Sequence, residues 1–305
     1  MVYISMIKKF LHKRILPSGI LYYRHRLLAG LGHTPILVYT MGKVGSSTVY
    51  HTLRKHKISR LVYHIHFLTD SYLEKISKTY NNGNARISDD INIHQLLRGN
   101  IDHISSSYIL KKVCKPEPKK KWKIITLVRD PVATFFSHIF QNPATHRPEL
   151  LGPDGLLDIK RVNTYVWDHY NHFNPREDYI SNWFDKEFYE FTGVDLYDYD
   201  YETEAGYQII QNDRFDIAVL SLESLDKNFA KAIGKLTNSN KFISVIKQNV
   251  REKQKGANAI LYKELKQNIV VSKENLQNVY STRYAKHFFS PEFREKMIEK
   301  WSKPR

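Results

Sequence analysis

The chain has 305 residues, of which 42% are hydrophobic and 13% aromatic, so it is long enough to bury a sizeable core. A formal net charge of +16 attracts anions but does not choose between nucleotides, acidic glycans, nucleic acid and anionic lipid. The single cysteine, Cys114, excludes an internal disulfide, and no apolar run reaches the about 18 residues of a membrane span. We therefore expect a globular, cytoplasmic protein that binds an anion.

The N-terminal segment, residues 1–33, is set apart by its basic character, because no Asp or Glu precedes Asp70. Residues 1–30 mix apolar side chains with Lys and Arg. The pattern favours a helix packed on the domain, and an amphipathic helix lying on the inner face of an anionic membrane is the alternative. We expect the remainder, residues 34–305, to form a single α/β domain.

Four short apolar runs, separated by segments with helical spacing, predict buried parallel strands. They are Ile36–Thr40, Leu61–Phe67, Ile124–Val128 and Ile217–Leu222. This alternation predicts an open, mainly parallel α/β sheet with helices on both faces, whose ligands bind at the carboxyl ends of the strands. The aromatic stretch of residues 179–201 predicts helices and a loop that cover the sheet.

A glycine-rich turn, MGKVGSST, follows the first strand and opens a helix. Backbone N–H groups and the helix dipole converge at such a turn, which makes it a cradle for phosphate or sulfate. Lys43 precedes Gly45, which reverses the order of the nucleotide-triphosphate loop G-x-x-x-x-G-K-[ST]. The hydroxyl residues at the helix entry are Ser46, Ser47 and Thr48. A Gly-Ser turn that only caps a helix is the alternative interpretation.

The second strand carries His64 and His66, which lie two residues apart and therefore point to the same side. A histidine can accept a proton near neutral pH and release it to solvent, so both are candidate bases. His66 lies nearer the carboxyl end, and we expect His64 to be the more enclosed. A carboxylate such as Asp70, packing of one histidine in the core, and a His-x-His metal pair are the alternatives.

The third strand ends in VRDPVATFFSHIF, a charged turn followed by a helix that begins at Pro131. Arg129 emerges where ligands bind, and Ser137 lies eight residues further along, two helical turns on. The guanidinium and the hydroxyl can share one phosphate. An ion pair between Arg129 and Asp130 is the alternative.

Together, the two segments resemble the signature segments of sulfotransferases that use 3′-phosphoadenosine 5′-phosphosulfate (PAPS). The resemblance implies a P-loop-like sulfotransferase architecture in which the first loop holds the 5′-phosphosulfate through Lys43, Gly45, Ser46, Ser47 and Thr48. It also implies that Arg129 and Ser137 hold the 3′-phosphate. In the family a histidine just past the second strand is a frequent base, and His66 matches it better than His64.

Two later segments add weaker similarity, so that the resemblance runs from about Thr34 to Lys266. Glu223 matches a glutamate at the end of a late strand, although Leu222 stands where the family often has an aromatic residue. The stretch NVREKQKGANAILYKELK resembles a loop that closes on the 3′-phosphate, with Lys253, Lys255 and Gly256 as the binding residues. With WFDKEF, this stretch is similar to a bacterial branch of capsular polysaccharide synthesis proteins.

The leading hypothesis is an enzyme that transfers a sulfuryl group from PAPS to a hydroxyl of a glycan or a lipid-linked sugar. An acidic polysaccharide acceptor fits the basic charge, and no specific nucleic acid is implied. Lys43 is suited to stabilise the negative charge that develops on the bridging oxygen as it leaves. No metal is expected, because a sulfuryl group carries less negative charge than a phosphoryl group. A P-loop kinase that uses ATP with magnesium, and a non-catalytic protein that binds polyanions or a membrane surface, are the alternatives.

Overall fold

The computed structural model describes residues 25–74, 102–113, 120–140, 147–239, 243–246 and 269–303, together with Tyr23, Pro143, Glu264 and Gln267. Several features predicted above lie outside the described residues: Lys253, Lys255, Gly256, Cys114 and most of residues 1–30. Of that N-terminal segment, residues 25–30 are helical.

A five-stranded mixed sheet forms the centre of the described part of the chain. Its strands are β1 (Ile36–Tyr39), β2 (Val62–Ile65), β3 (Trp122–Val128), β4 (Tyr207–Gln211) and β5 (Phe215–Ser221). The spatial order is β2-β1-β3-β5-β4, in which the first four strands are parallel and β4 pairs antiparallel with β5 at one edge. The structure is therefore an α/β fold with a mostly parallel sheet.

The four predicted strands are confirmed apart from residues at their ends, but the sequence analysis missed the edge strand β4. β4 has the sequence YQIIQ, in which glutamines flank only two adjacent apolar residues. Such a run lacks both the alternation of a half-buried strand and the length of a buried one. Its pairing with β5 makes the sheet mixed rather than wholly parallel.

Helices connect and cover the strands. The α-helices are α1 (Ser46–Lys55), α2 (Asp102–Val113), α3 (Pro131–Ile139), α4 (Ile159–Asn171), α5 (Tyr179–Trp183), α6 (Glu190–Thr192), α7 (Leu225–Thr237), α8 (Lys273–Tyr280), α9 (Arg283–Phe288) and α10 (Pro291–Trp301). A π-helical segment, Phe184–Tyr189, joins α5 to α6, and short 3₁₀ turns lie at Pro148–Leu150, Leu196–Asp198 and Leu222–Ser224. Within the described ranges, none of these helices combines the length and the apolar character needed to cross a bilayer.

Both faces of the central strands are covered. Successive residues of β1 are all buried, and so are Ile124 to Val128 of β3, although neighbouring side chains point to opposite faces of the sheet. Strands buried on both faces are typical of parallel sheets with a layer on each side. On the sheet, α2 packs against β2, and α7 packs against β4 and β5.

The buried carboxylate of Glu187 joins the aromatic helical stretch to the sheet. Glu187 belongs to the π-helical segment and is fully buried. Its carboxylate accepts hydrogen bonds from the hydroxyl of Tyr39, at the end of β1, and from the hydroxyl of Thr69. It also accepts from the backbone N–H groups of Leu68 and Thr69, which follow β2. These bonds fix the chain just beyond His66.

Replacing Glu187 tests this link. We expect Glu187→Ala to lower the free energy of unfolding by about 3 kcal/mol or more, because each buried donor left without an acceptor costs about 1–3 kcal/mol. Glu190→Ala, on the same helical stretch but exposed, is the matched control and should change stability by about 0.5 kcal/mol or less. Urea unfolding of both variants measures the difference, and equal effects would contradict the role given to Glu187.

Candidate active site

The two predicted anion-binding segments meet at one crevice of the sheet. The chain passes from β1 outward to β2 and then crosses to β3 on the other side of β1. The carboxyl ends of β1 and β3 therefore flank the topological switch point, where open α/β sheets bind their ligands. Lys43 follows β1 and Arg129 follows β3, so both residues lie at this crevice.

The loop after β1 has an unusual backbone. Lys43 has a φ angle of +68° and Gly45 one of +91°, both in the left-handed region. Left-handed residues in a turn direct successive N–H groups toward one concave side, which suits an anion. This conformation costs a residue with a side chain about 1–2 kcal/mol, and strain of that kind gathers at functional loops. The backbone thus supports the predicted anion cradle.

Gly45 brings the loop close to β5 and opens the N-terminus of α1. A Cβ atom at this position would lie 2.5 Å from Cδ1 of Leu222. No side chain caps α1, and its first turn carries no acidic residue, whereas Arg54 and Lys55 lie in its last turn. The positive end of the helix dipole therefore points at the crevice, and the first turn of α1 itself supplies no carboxylate to neutralise it.

Arg129 makes direct contact with this loop. Its Nη1 donates a hydrogen bond of 2.7 Å to the carbonyl oxygen of Lys43. The hydroxyl of Tyr284, in α9, accepts from the backbone N–H of Arg129 at 2.9 Å and donates to its carbonyl at 2.8 Å. Both ends of the arginine are therefore held, and its guanidinium lies beside the anion cradle.

The carboxylate of Asp130 forms hydrogen bonds that stabilise the turn after β3 and does not pair with Arg129. Its side chain caps α3 by accepting from the N–H of Val132, and it also accepts from the hydroxyl of Tyr280 at 2.7 Å and from Nε1 of Trp301 at 3.0 Å. Its own N–H donates to the carboxylate of Glu223 at 2.8 Å. Among the described residues Asp130 forms no ion pair with Arg129, so the guanidinium keeps its capacity for an external anion.

His64, in β2, and His66, directly after β2, face the same side, as predicted, with ring centroids 5.0 Å apart. Nε2 of His64 lies 2.8 Å from the hydroxyl oxygen of Ser46. Nδ1 of His66 lies 2.7 Å from the carbonyl oxygen of Thr40. A carbonyl can only accept, so Nδ1 of His66 carries the proton and Nε2 of the neutral ring carries the lone pair. Both side chains are half-buried, so the expected greater enclosure of His64 is not seen.

A third histidine completes the cluster. His103, in α2, has its ring centroid 4.9 Å from that of His66 and 6.5 Å from that of His64. Within the described ranges, no group of three or more His, Cys, Asp or Glu side chains is arranged to hold a metal ion. The carboxylate alternative, Asp70, is exposed and pairs with Lys111. His64, His66 and His103 thus form a cluster of rings beside the crevice.

The electrostatics keep these histidines neutral. The pKa of His64, of His66 and of His138 is lowered to about 3, mainly by burial, and the positive charge of Lys43 contributes to the lowering of all three. The amino group of Lys43 thus acts on His64 in β2, on His66 directly after it and on His138 in α3. A bound anion would offset this positive charge and raise the pKa of all three.

Gly42, at the start of the loop, lies between two aromatic rings. Its N–H donates to the hydroxyl of Tyr179 at 3.3 Å. A Cβ on Gly42 would lie 3.0 Å from Cε1 of His138, and the rings of His138 and Tyr179 stand perpendicular, with centroids 5.7 Å apart. These rings fix the loop in place from α3 and α5.

The remaining predicted residues lie on the helices that follow the two loops. Ser47 and Thr48 lie in the first turn of α1 and Ser137 in the second turn of α3, all partly exposed. The structure brings Lys43, Gly45, Ser46, His64 and Arg129 together through the contacts described above.

Sequence reasoning missed several residues that hold the site. His138 stands next to Ser137 in the quoted segment, so a signal for it was present. His103, Tyr179 and Tyr284 come from separate helices that carry no motif, and only tertiary packing brings them to the site.

Comparison with known proteins gives one family match. Residues 159–290, less than half of the chain, match a family described as "putative capsular polysaccharide synthesis protein". No curated protein and no solved structure matches the chain. The matched stretch begins at α4 and includes Tyr179, Glu187 and Tyr284, but it does not reach Lys43 or Arg129. It associates the chain with polysaccharide synthesis.

The neutral histidines make stability depend on pH. Their pKa is lower in the folded chain, about 3, than in the unfolded chain, about 6.5, so the unfolded state binds more protons between these values. The free energy of unfolding should therefore fall as pH falls below about 6.5, by up to about 1.4 kcal/mol per pH unit for each histidine.

His138→Gln should flatten this dependence between about pH 5 and 6.5, where most carboxylates stay ionised. Gln277→Ala, which replaces an exposed residue that does not titrate, is the matched control and should leave the slope unchanged. Urea unfolding across this pH range measures both slopes, and an unaltered slope in His138→Gln would show that His138 is not held neutral.

Proposed function

We propose that this protein transfers a sulfuryl group from PAPS to a hydroxyl of a glycan or glycolipid, in the synthesis or modification of a surface polysaccharide. The observation that carries the proposal is the 2.7 Å hydrogen bond from Nη1 of Arg129 to the carbonyl oxygen of Lys43. It unites two anion-binding segments that are distant in sequence, as a nucleotide with phosphates at both its 3′ and 5′ positions requires.

The chain offers a site with the features that such a donor needs. The open N-terminus of α1 and the left-handed backbone at Lys43 and Gly45 would hold the 5′-phosphosulfate, with the hydroxyls of Ser47 and Thr48 in the first helical turn. Arg129 and Ser137 would hold the 3′-phosphate. The donor supplies the sulfuryl group, and its transfer leaves 3′-phosphoadenosine 5′-phosphate as the product.

Lys43 is suited to the charge that develops during transfer. As the bond between sulfur and the bridging oxygen breaks, negative charge grows on that oxygen, and a fixed ammonium stabilises it most in a partly buried site. Lys43 is half-buried, and its charge is felt by three surrounding histidines. We expect Lys43 to act mainly on the rate of transfer and without a metal ion.

His66 is suited to accept the proton of the acceptor hydroxyl. The bond from Nδ1 to the carbonyl oxygen of Thr40 fixes the tautomer and leaves the lone pair on Nε2. Trp183 donates from Nε1 to the carbonyl oxygen of His66 at 3.3 Å, which fixes the backbone as well. His66 then releases the proton to solvent, so that acceptor oxygen and sulfur are joined with all protons accounted for.

The family match favours a glycan acceptor, because the matched proteins are described by polysaccharide synthesis. A kinase that uses ATP with magnesium remains the second candidate from the loop alone, but the lysine precedes the second glycine, contrary to the order in nucleotide-triphosphate loops. A protein that only binds polyanions would show no preference for a 3′-phosphate.

Calorimetric titration with two nucleotides tests the donor site. 3′-Phosphoadenosine 5′-phosphate should bind without magnesium, and Arg129→Ala should weaken it about 10- to 150-fold, since a hydrogen bond to a charged group contributes about 1.5–3 kcal/mol. Adenosine 5′-phosphate lacks the 3′-phosphate, so the parent and Arg129→Ala should bind it with nearly the same affinity. Arg214→Ala is the matched control, because Arg214 is exposed and directly precedes β5, at the amino end of that strand. Equal losses for both nucleotides would contradict the assignment of Arg129 to the 3′-phosphate.

Separate replacement of His64 and of His66 tests which of them is the base. His66→Ala should lower kcat by about 10²–10⁴, the usual contribution of a general base, with the affinity for 3′-phosphoadenosine 5′-phosphate nearly unchanged. His64→Ala should instead weaken binding at the loop, because it removes the partner of Ser46. The rate at which 3′-phosphoadenosine 5′-phosphate forms from PAPS with a glycan acceptor measures kcat. A parental kcat in His66→Ala would show that another group accepts the proton.

A further inference from the structure

We infer that a second site, in a cleft between α4 and residues 269–275, binds a neutral stretch of a glycan chain. The cleft has a volume of about 510 Å³, which lies in the usual range for small-molecule sites. Below, it is called the α4 cleft. Glycan binding there does not rest on the donor chemistry proposed above, because it needs neither Lys43 nor Arg129.

One face of α4 is turned toward the cleft. Asn163, Val166, Trp167, Tyr170 and Asn171 line it, at spacings of three, four, seven and eight residues that place them on one side of a helix. The adjoining side of α4 packs on α3, where Tyr165 and His169 stack on Phe135. Thus one side of α4 packs on α3, and the residues that α4 turns to the cleft include the exposed Asn163, Trp167 and Asn171.

The side chains that line the cleft are uncharged. Among the described residues that line the cleft none is ionised at neutral pH, although the whole chain carries a formal charge of +16. Amide and hydroxyl side chains recur instead: Asn163, Thr164, Asn171, Ser272 and Asn275. Amides and hydroxyls both donate and accept hydrogen bonds, as the hydroxyls of a sugar require, and offer no countercharge to a phosphate or a polyanion.

An exposed indole provides a flat apolar surface within this polar lining. Trp167 is 66% exposed, whereas the other three tryptophans, Trp122, Trp183 and Trp301, are at most 3% exposed. An exposed indole in a cleft offers a face on which a flat apolar group can stack. The C–H face of a sugar ring is flat and apolar, and its edge carries hydroxyls. A pyranose that stacks on Trp167 would therefore direct hydroxyls at the amides.

A buried hydroxyl without a partner supports the inference independently. Tyr170 is 3% exposed and lines the cleft, and within the described structure its hydroxyl has no hydrogen-bond partner. A buried polar group left unsatisfied is costly, and a ligand hydroxyl would relieve that cost. Nearby, Nδ2 of Asn275 donates to Oδ1 of Asn171 at 2.7 Å, which fixes the orientation of both amides.

The α4 cleft also lies in the part of the chain that matches the polysaccharide synthesis family. Its lining residues, from Asn163 to Asn275, all fall within residues 159–290, the stretch that matches the capsular polysaccharide synthesis family. Lys43 and Arg129 lie outside that stretch, although Tyr179 and Tyr284, which contact their loops, lie within it. A glycan that occupies the α4 cleft would be held by the chain through contacts separate from the anion crevice.

Tryptophan fluorescence tests this inference directly, because acrylamide quenches exposed indoles and Trp167 is the exposed one. The probes are neutral trisaccharides of glucose, galactose, mannose and N-acetylglucosamine, with a hyaluronan tetrasaccharide as the acidic comparison. At least one neutral sugar at millimolar concentration should protect Trp167 from quenching. Calorimetry with that sugar should show binding at least about tenfold weaker in Trp167→Ala and in Asn275→Ala.

Tyr189→Ala, which removes an aromatic side chain 51% exposed on another helix, is the matched control and should bind the sugar as the parent does. Trp167→Ala should keep its affinity for 3′-phosphoadenosine 5′-phosphate, which shows that it is folded and separates this test from that of the donor site. Protection by none of the sugars, protection only by an apolar peptide, or unchanged sugar affinity in Trp167→Ala would overturn the inference.

Discussion

The buried carboxylate of Asp130 is the constraint on which the arrangement of the site depends. It caps α3 and accepts from Tyr280 and Trp301, so helices near the C-terminal end of the chain are tied to the turn that follows β3. Because both oxygens of Asp130 are used in this way, the adjacent Arg129 is left to contact the loop after β1. One acidic residue thus fixes the turn and leaves the basic residue beside it available to a ligand.

The histidines follow from the same arrangement. A cation at Lys43, placed among half-buried rings, keeps His64, His66 and His138 neutral by adding to the effect of burial. A doubly charged anion at the loop would reduce that effect and make the rings more basic. The loop and the histidines are therefore coupled through charge, and ligand binding would increase the basicity of the proposed base at the moment when it is needed.

The features that could be predicted from the sequence are those that depend on local residue patterns. The four parallel strands, the turns that carry Lys43 and Arg129, and the common side of His64 and His66 follow from apolar runs and from the alternation of a strand. Long-range packing was not readable. Glu187 joins β1 and the chain after β2 from a π-helical segment, and Tyr284 reaches Arg129 across 155 positions of sequence. The short edge strand β4 escaped because its apolar run is too brief to show a period.

The most direct test of the central claim is ³¹P NMR of 3′-phosphoadenosine 5′-phosphate in the presence of the protein. Because the two phosphates have separate resonances, each contact of the crevice can be assigned to one of them. The account predicts that both resonances shift on binding, that Arg129→Ala abolishes the shift of the 3′-phosphate, and that Lys43→Ala reduces only that of the 5′-phosphate. Binding in which Arg129→Ala leaves the 3′-phosphate resonance as in the parent would contradict the account.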